Sequence, residues 1–296
     1  MKKLFLTITS LLLFTFCYSQ TLGSVVKDEK GNPMLLGKVS RTILEQKDFS
    51  WFSKNYEAYL TNDKLTKLLK KKLKDYKIKI FFGSWCGDSK RNVPAFYKVL
   101  DEAKFPKEAI ELIAVDRKKE AYKQSPNGEE KGLNIHRVPT FIIYKNGKEV
   151  NRIVEDAKET LERDLYKIVA NEKYTSKYNA ANLLDKLFNN QKQDLQTIEK
   201  QLIRFLPQID EGVKELNTYG FVKLRAKQYE KAKFAFELNA KMYPNHYVPH
   251  NSLGILYKEQ KHYKKALASL YISLSINPDN KDAKTLIKEI ETINLK

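Results

Sequence analysis

The chain has 296 residues, with 54 Lys or Arg against 36 Asp or Glu and a formal net charge of +18. Such basicity is a reason to think of nucleic acid. Here, however, the lysines are spread along helical stretches and form no patch interleaved with aromatics, so they read as a solvated surface loosely attracted to anionic envelope components, with no nucleic-acid partner. Beyond the N-terminal run no segment reaches 18 uninterrupted apolar residues, which excludes a membrane span from the rest of the chain.

In chain order, Met1-Lys2-Lys3 is a basic start, residues 4–16 are apolar, and Cys17-Tyr18-Ser19 puts small residues at −3 and −1 before Gln20. This is the pattern of a secretory signal peptide over residues 1–19. It places the mature chain outside the cytoplasm, in a periplasm. A lipid anchor on Cys17 is the lesser reading, because Phe14-Thr15-Phe16 is bulky where a lipobox wants Leu and small side chains. Cleavage leaves about 277 residues and a charge of +16, enough for two domains of ordinary size.

Residues 20–76 read as an N-terminal extension. Residues 20–40 look extended, with turn residues between short apolar runs, which suggests a hairpin or an irregular arm. Helical spacing then follows over 40–60 (Leu44, Phe49, Phe52, Tyr56, Leu60), and Asn62-Asp63 caps a Lys- and Leu-rich helix to about Tyr76. Whether this extension lengthens a sheet or covers a site is open. A βα pattern occupies 77–171. It predicts strands over 78–82, 110–115, 140–145 and 149–154, and helices over 87–103 and 156–170. Asn146-Gly147 is the turn of a hairpin. A helical bridge spans 172–212.

Residues 213–294 repeat. A shift of 34 aligns Gly220 with Gly254, Tyr229 with Tyr263, Ala232 with Ala266 and Pro244 with Pro278. Small residues let two helices approach, Tyr fills the gap between them and Pro ends the second helix. The pattern resembles tetratricopeptide (TPR) repeats, over 213–246 and 247–280, with a capping helix after Lys281. The first repeat departs from it at Lys223, where the second has Tyr257. The resemblance implies a concave surface that recruits a partner protein.

The most informative residues are Trp85-Cys86-Gly87-Asp88-Ser89. Pro94 stands eight residues after Cys86, Asp116 closes the next strand, and Arg137-Val138-Pro139-Thr140 lies downstream. Together with the Asn146-Gly147 hairpin, this spacing resembles the thioredoxin superfamily, in particular secreted bacterial thioredoxin-like proteins. The resemblance implies an α/β thioredoxin fold followed by the all-α repeat domain. It also implies a nucleophilic Cys86 beside a cis-proline at Pro139. Val138 and Thr140 belong to the substrate-docking edge, and Trp85 is a flat wall beside the sulfur. A cysteine at a helix start sits among free N–H groups that favour its thiolate. His136 and Arg137 read as ordinary solvated loop residues, with tuning of that thiolate as the alternative, and Asp88 as a helix-start acid.

Two departures narrow the chemistry. Ser89 replaces the second cysteine, and Ile80 stands where the family carries a buried acid. With Cys17 in the signal peptide, the mature chain holds one thiol. An internal dithiol–disulfide cycle is excluded, and single-cysteine (monothiol) exchange released by an external thiol remains. The expected partners are other extracytoplasmic proteins: a cysteine-containing substrate, a thiol reductant and a protein bound by the repeats. The alternative is a non-catalytic scaffold of the cell envelope with an inert Cys86. The four histidines show no metal-ligand spacing and there is no phosphate loop, so no cofactor and no metal are expected. The oligomeric state is open.

Overall fold

The computed structural model describes residues 23–190 and 195–294. The expected signal peptide over 1–19, its Cys17, and the start of the arm at 20–22 lie outside the described residues. Among the described residues six strands form one sheet: β1 (Ser24–Lys27), β2 (Pro33–Val39), β3 (Tyr76–Phe82), β4 (Ile110–Ala114), β5 (Thr140–Lys145) and β6 (Lys148–Val154). Their order is β1-β2-β4-β3-β5-β6, with β3 and β4 parallel and every other pair antiparallel. The N-terminal arm is thus a hairpin that lengthens the sheet beyond β4. The β5–β6 turn sets both Asn146 and Gly147 at positive φ, as a two-residue hairpin with right-handed strand twist requires.

Helices gather on one face of this sheet: α1 (Arg41–Leu44), α2 (Trp51–Ala58), α3 (Asp63–Lys72), α4 (Gly87–Glu102) and α5 (Leu161–Val169). The expected single helix over 40–60 is broken. Gln46 is extended, a 3-10 turn follows at Lys47–Phe49, and α2 stops at Ala58. Leu44, Phe49 and Phe52 are buried as their spacing demands, but Leu60, beyond the helix end, is 88% exposed. The Asn62 cap forms as read, its side chain accepting from the Lys64 and Leu65 N–H groups at 3.1 Å. That helix ends earlier than expected, because Tyr76 already belongs to β3. The α5 helix starts later, at the Thr160 cap, since Asp156 is drawn to Arg91 and Asn92 on α4.

Pro94 sits inside α4 and cannot bond the carbonyl four residues back. That carbonyl, of Lys90, accepts instead from Asn55 Nδ2 on α2 at 2.8 Å. The proline's position in α4 therefore also ties the N-terminal extension to this helix. On the opposite face of the sheet a smaller cluster forms from Phe81, Ile113, Val115, Ile135, Val138 and Ile142. The irregular segment 117–138 supplies part of its cover.

The rest of the described chain is helical: α6 (Asn179–Asn189), α7 (Leu195–Phe205), α8 (Lys214–Arg225), α9 (Tyr229–Met242), α10 (Tyr247–Glu259), α11 (Tyr263–Ile276) and α12 (Lys281–Asn294). The 34-residue shift holds in three dimensions. It maps α9 onto α11, and the start of α10 onto that of α12. A Cβ built on Gly220 would meet the Phe236 ring at 2.3 Å, and one on Gly254 would meet Leu270 at 2.5 Å. Asn239 donates to the Val213 carbonyl, and Ser273 to the Tyr247 carbonyl, at the same offset. Lys223, the misfit in the first repeat, is buried with its amine 2.7 Å from Asp185 on α6 and over the Tyr219 ring. Its neighbour is the bridge helix α6, so an ion pair fills the slot. No helix among the described residues is long and apolar enough to cross a membrane.

Candidate active site

Cys86 is the N-cap of α4, in extended conformation, and follows β3 by way of Gly83, whose carbonyl accepts the Cys86 N–H at 2.9 Å. Its sulfur is half-buried, 3.4 Å from the Val138 carbonyl oxygen and 4.0 Å from Asp88 Oδ2. The Val138–Pro139 bond is cis, and the Sγ–carbonyl contact shows that the loop before β5 faces the thiol. Gly87 is exposed. Asp88 turns to Arg91 at 2.8 Å, and Arg91 also reaches Asp156 at 2.7 Å. The cation therefore spends its field on two carboxylates and not on the sulfur.

Ser89 is fully buried, and its hydroxyl accepts the Gly83 N–H at 3.2 Å. It acts as a strap between α4 and the end of β3. Ile80 is likewise fully buried in apolar surroundings. Trp85 packs with Cys86 against the Phe81 cluster, its indole N–H donating to the Val115 carbonyl at 2.9 Å. Its other flank meets Tyr122, ring to ring at 6.4 Å. Thr140 is buried and its hydroxyl donates to the Arg137 carbonyl at 2.7 Å, so it braces the loop from within. Val138 keeps only 1% of its surface. The edge expected to receive a substrate strand is covered in this conformation.

His136 and Arg137 are not solvated loop residues. His136 is 1% exposed, with Nδ1 donating to the Asn134 carbonyl at 3.1 Å and the rings of Tyr178 and Tyr219 edge-on to it. Burial holds its imidazole well below the ordinary histidine value, against the pull of the Asn134 carbonyl. Its Nε2 meets no partner among the described residues. Arg137 pairs with Glu155 at 3.2 Å, stacks on Tyr178 at 4.4 Å and donates to the Lys214 carbonyl of α8. Tyr178 closes the set by hydrogen bonding Glu155. Chain reading missed this joint because its parts come from positions 134–137, 155, 178 and 214–219. No local pattern links them.

Lys123 was also missed. It is buried, donates to the His136 carbonyl at 2.8 Å, and burial lowers its amine to about 7, with Arg137 pushing the same way. Glu155 and Cys86 act on it in the opposite sense, which puts all four groups in one electrostatic neighbourhood. Glu215 on α8 accepts the Ala181 and Glu211 N–H groups at 2.7 Å, and burial raises its carboxyl to about 7. Among the described residues no group of His, Cys, Asp or Glu could hold a metal ion.

Residues 43–175 match the family model described as thioredoxin. Over 90 residues the chain is 31% identical to thioredoxin H2 of Arabidopsis thaliana, covering 30% of this chain and 60% of that protein. Over 74 residues it is 32% identical to a thioredoxin of Malassezia sympodialis, covering 25% of this chain and 63% of that protein. The chain thus spans about three fifths of the length of these curated relatives. The mixed sheet, the half-buried thiol at a helix start and the facing cis-proline agree with those matches. Residues 43–175 are a thioredoxin-family domain, and an all-helical region follows it in the chain.

Proposed function

We propose that this protein is an extracytoplasmic thioredoxin-like protein that exchanges thiol and disulfide on partner proteins through Cys86 alone. The observation that carries this reading is the pairing of a half-buried Cys86 sulfur at a helix start with a buried Ser89 that holds the Gly83 N–H. The first group can react and the second cannot. In the forward step the Cys86 thiolate attacks one sulfur of a partner disulfide. A new S–S bond forms to that sulfur, and the other leaves as a thiolate that takes a proton from water. An external thiol then attacks the mixed disulfide, bonds to the partner's sulfur and returns Cys86 to the reduced state. The 34-residue helical units are read as TPR repeats that recruit a partner.

A second reading has its own support. The near-complete burial of Val138 closes the edge a substrate strand would use, which fits a binding scaffold with an inert thiol. Trapping separates the two. The mature protein, alkylated after brief exposure to extracytoplasmic extract, yields mixed disulfides that vanish in Cys86→Ala if exchange is the function. If the same partners are captured non-covalently by both forms and no disulfide adduct is seen, the scaffold stands. Secretion is checked separately, by the N-terminal sequence of the protein recovered outside the cytoplasm, expected to begin at Gln20.

A further inference from the structure

The helical region is bolted to the thiol site. Arg137, Glu155 and Tyr178 form a three-way contact that also takes in the Lys214 carbonyl, and His136 is sealed between Tyr178 and Tyr219. Lys123, Asn134, Glu155 and Tyr178 all adopt left-handed backbone around this joint. For residues such as Lys, Glu and Tyr that conformation costs roughly 1–2 kcal/mol each, so the surrounding contacts must over-determine it. Five other left-handed non-glycine residues occur among the described residues, and four of them (Lys104, Asn171, Lys227, Lys261) end helices while Asn146 turns a hairpin. Lys123 likewise follows a 3-10 turn at Lys119–Ala121, whereas Asn134, Glu155 and Tyr178 are left-handed at the joint itself, with no helix among the described residues ending just before them.

Trp85, next to Cys86 in the chain and packed with it on the Phe81 cluster, leads away from the covered Val138 side to Tyr122. There α8 stands opposite. A cavity of about 320 Å³ lies between the two domains, lined by Lys119 and Tyr122 on one side and by Asn217, Thr218, Phe221 and Arg225 on the other. Its volume is at the small end of ligand cavities, about 300–1,000 Å³, a size for one or two side chains and not a cofactor. Two aromatic side chains face it from opposite walls. Arg225 is held by Glu259, whereas Lys119 is exposed and makes no bond among the described residues, leaving one cation at the mouth.

We infer that this cavity is the specificity subsite of the thiol reaction: it takes an apolar side chain next to the substrate's cysteine, between Tyr122 and Phe221, while the disulfide lies over Trp85 and Cys86. The inference rests on the exchange chemistry proposed above. Thr218 and Phe221 of the helical region then decide which disulfides reach a sulfur on the other domain. The helical region is a wall of the site as well as a neighbour to it.

Two synthetic peptides test this, each with one cysteine disulfide-linked to thionitrobenzoate, flanked by Leu in one and by Gly in the other. Attack of the Cys86 thiolate joins the peptide to Cys86 and releases the coloured thionitrobenzoate. In the mature protein, which lacks Cys17, the Leu peptide is expected to react at least tenfold faster than the Gly peptide. Thr218→Phe, which fills the cavity, and Phe221→Ser, which removes a wall, should each reduce that preference to within twofold. Alkylation by iodoacetamide, which needs no subsite, should stay within twofold of the parent in both. Equal peptide rates in the parent, or a preference that survives both substitutions, overturns the inference and leaves the thiol chemistry standing. So does a loss of iodoacetamide reactivity equal to the loss of peptide reactivity. A parent protein that releases no thionitrobenzoate from either peptide overturns the exchange chemistry and the subsite together.

Discussion

In the sheet domain Cys86 meets Val138 across 52 positions of chain, whereas in the helical region Gly220 meets Phe236 and Gly254 meets Leu270 at one short, repeated interval. The first region gathers its contacts from afar and stands or falls as a whole. The second is assembled from neighbours, so damage to one unit is felt mainly by that unit and the next. Where the two meet, at α6 and α8, the repeat pattern gives way to contacts of long range, with Lys223 turned to Asp185 and Arg137 to the Lys214 carbonyl.

That contrast can be broken at several points. The largest effect is expected from Asp185→Ala, which leaves the Lys223 amine buried and unpaired and also removes the acceptor of the Tyr219 hydroxyl. Removing one partner of such a pair costs about 3–5 kcal/mol. Urea unfolding should show the loss, and the joint to the sheet domain should open with it. Next, Gly220→Val drives a side chain into the Phe236 ring. Overpacking of this kind costs about 1–3 kcal/mol, and a second change, Phe236→Ala, should cost less in that background than in the parent. If the two losses add, the close helix approach is not what holds the unit.

Lys123→Met sharpens the comparison from the other side, through pH. Burial brings the folded amine down to about 7, whereas the unfolded one keeps its ordinary value of about 10.5. Between these values the unfolded chain binds a proton that the folded chain does not. The parent therefore gains stability with rising pH, by at most about 1.4 kcal/mol per unit, and loses it again as pH falls toward 7. The variant lacks this contribution, so the difference between the two stability curves should slope from about pH 7 up to the ordinary lysine value and flatten below about pH 7. Parallel curves would mean that the amine is not held as the geometry implies. The smallest effect is local: Asn62→Ala removes two accepted N–H bonds at the start of α3 and should cost about 1 kcal/mol, with the helical region untouched.

Much of the scaffold was legible because its signals are local. Asn62, the Asn146-Gly147 turn, the strand that ends before Gly83 and the 34-residue shift each declare themselves within a few residues or one period. The helix expected over 40–60 failed because apolar spacing cannot tell a continuous helix from two short ones joined by a turn, and Leu60 matched the spacing while pointing to solvent. The thiol itself was legible from its pentapeptide. Its surroundings were not. His136 and Arg137 looked like loop residues since nothing near them in the chain announces Tyr178, Glu155 or α8. Burial by a distant element is a property of the fold and leaves no mark at the residue it buries.

Ser89 has a bearing on kinetics. A hydroxyl locked to the Gly83 N–H cannot discharge an adduct on Cys86. In a site with two sulfurs the release of product is unimolecular and its rate belongs to the protein. Under the exchange proposed for Cys86, release with one sulfur would be second order, and turnover would rise in proportion to the thiol supplied by the surroundings until some other step limits it. On that proposal the adduct would accumulate in thiol-poor surroundings, and Cys86, a fast exchanger where thiol is plentiful, would there become a long-lived tether.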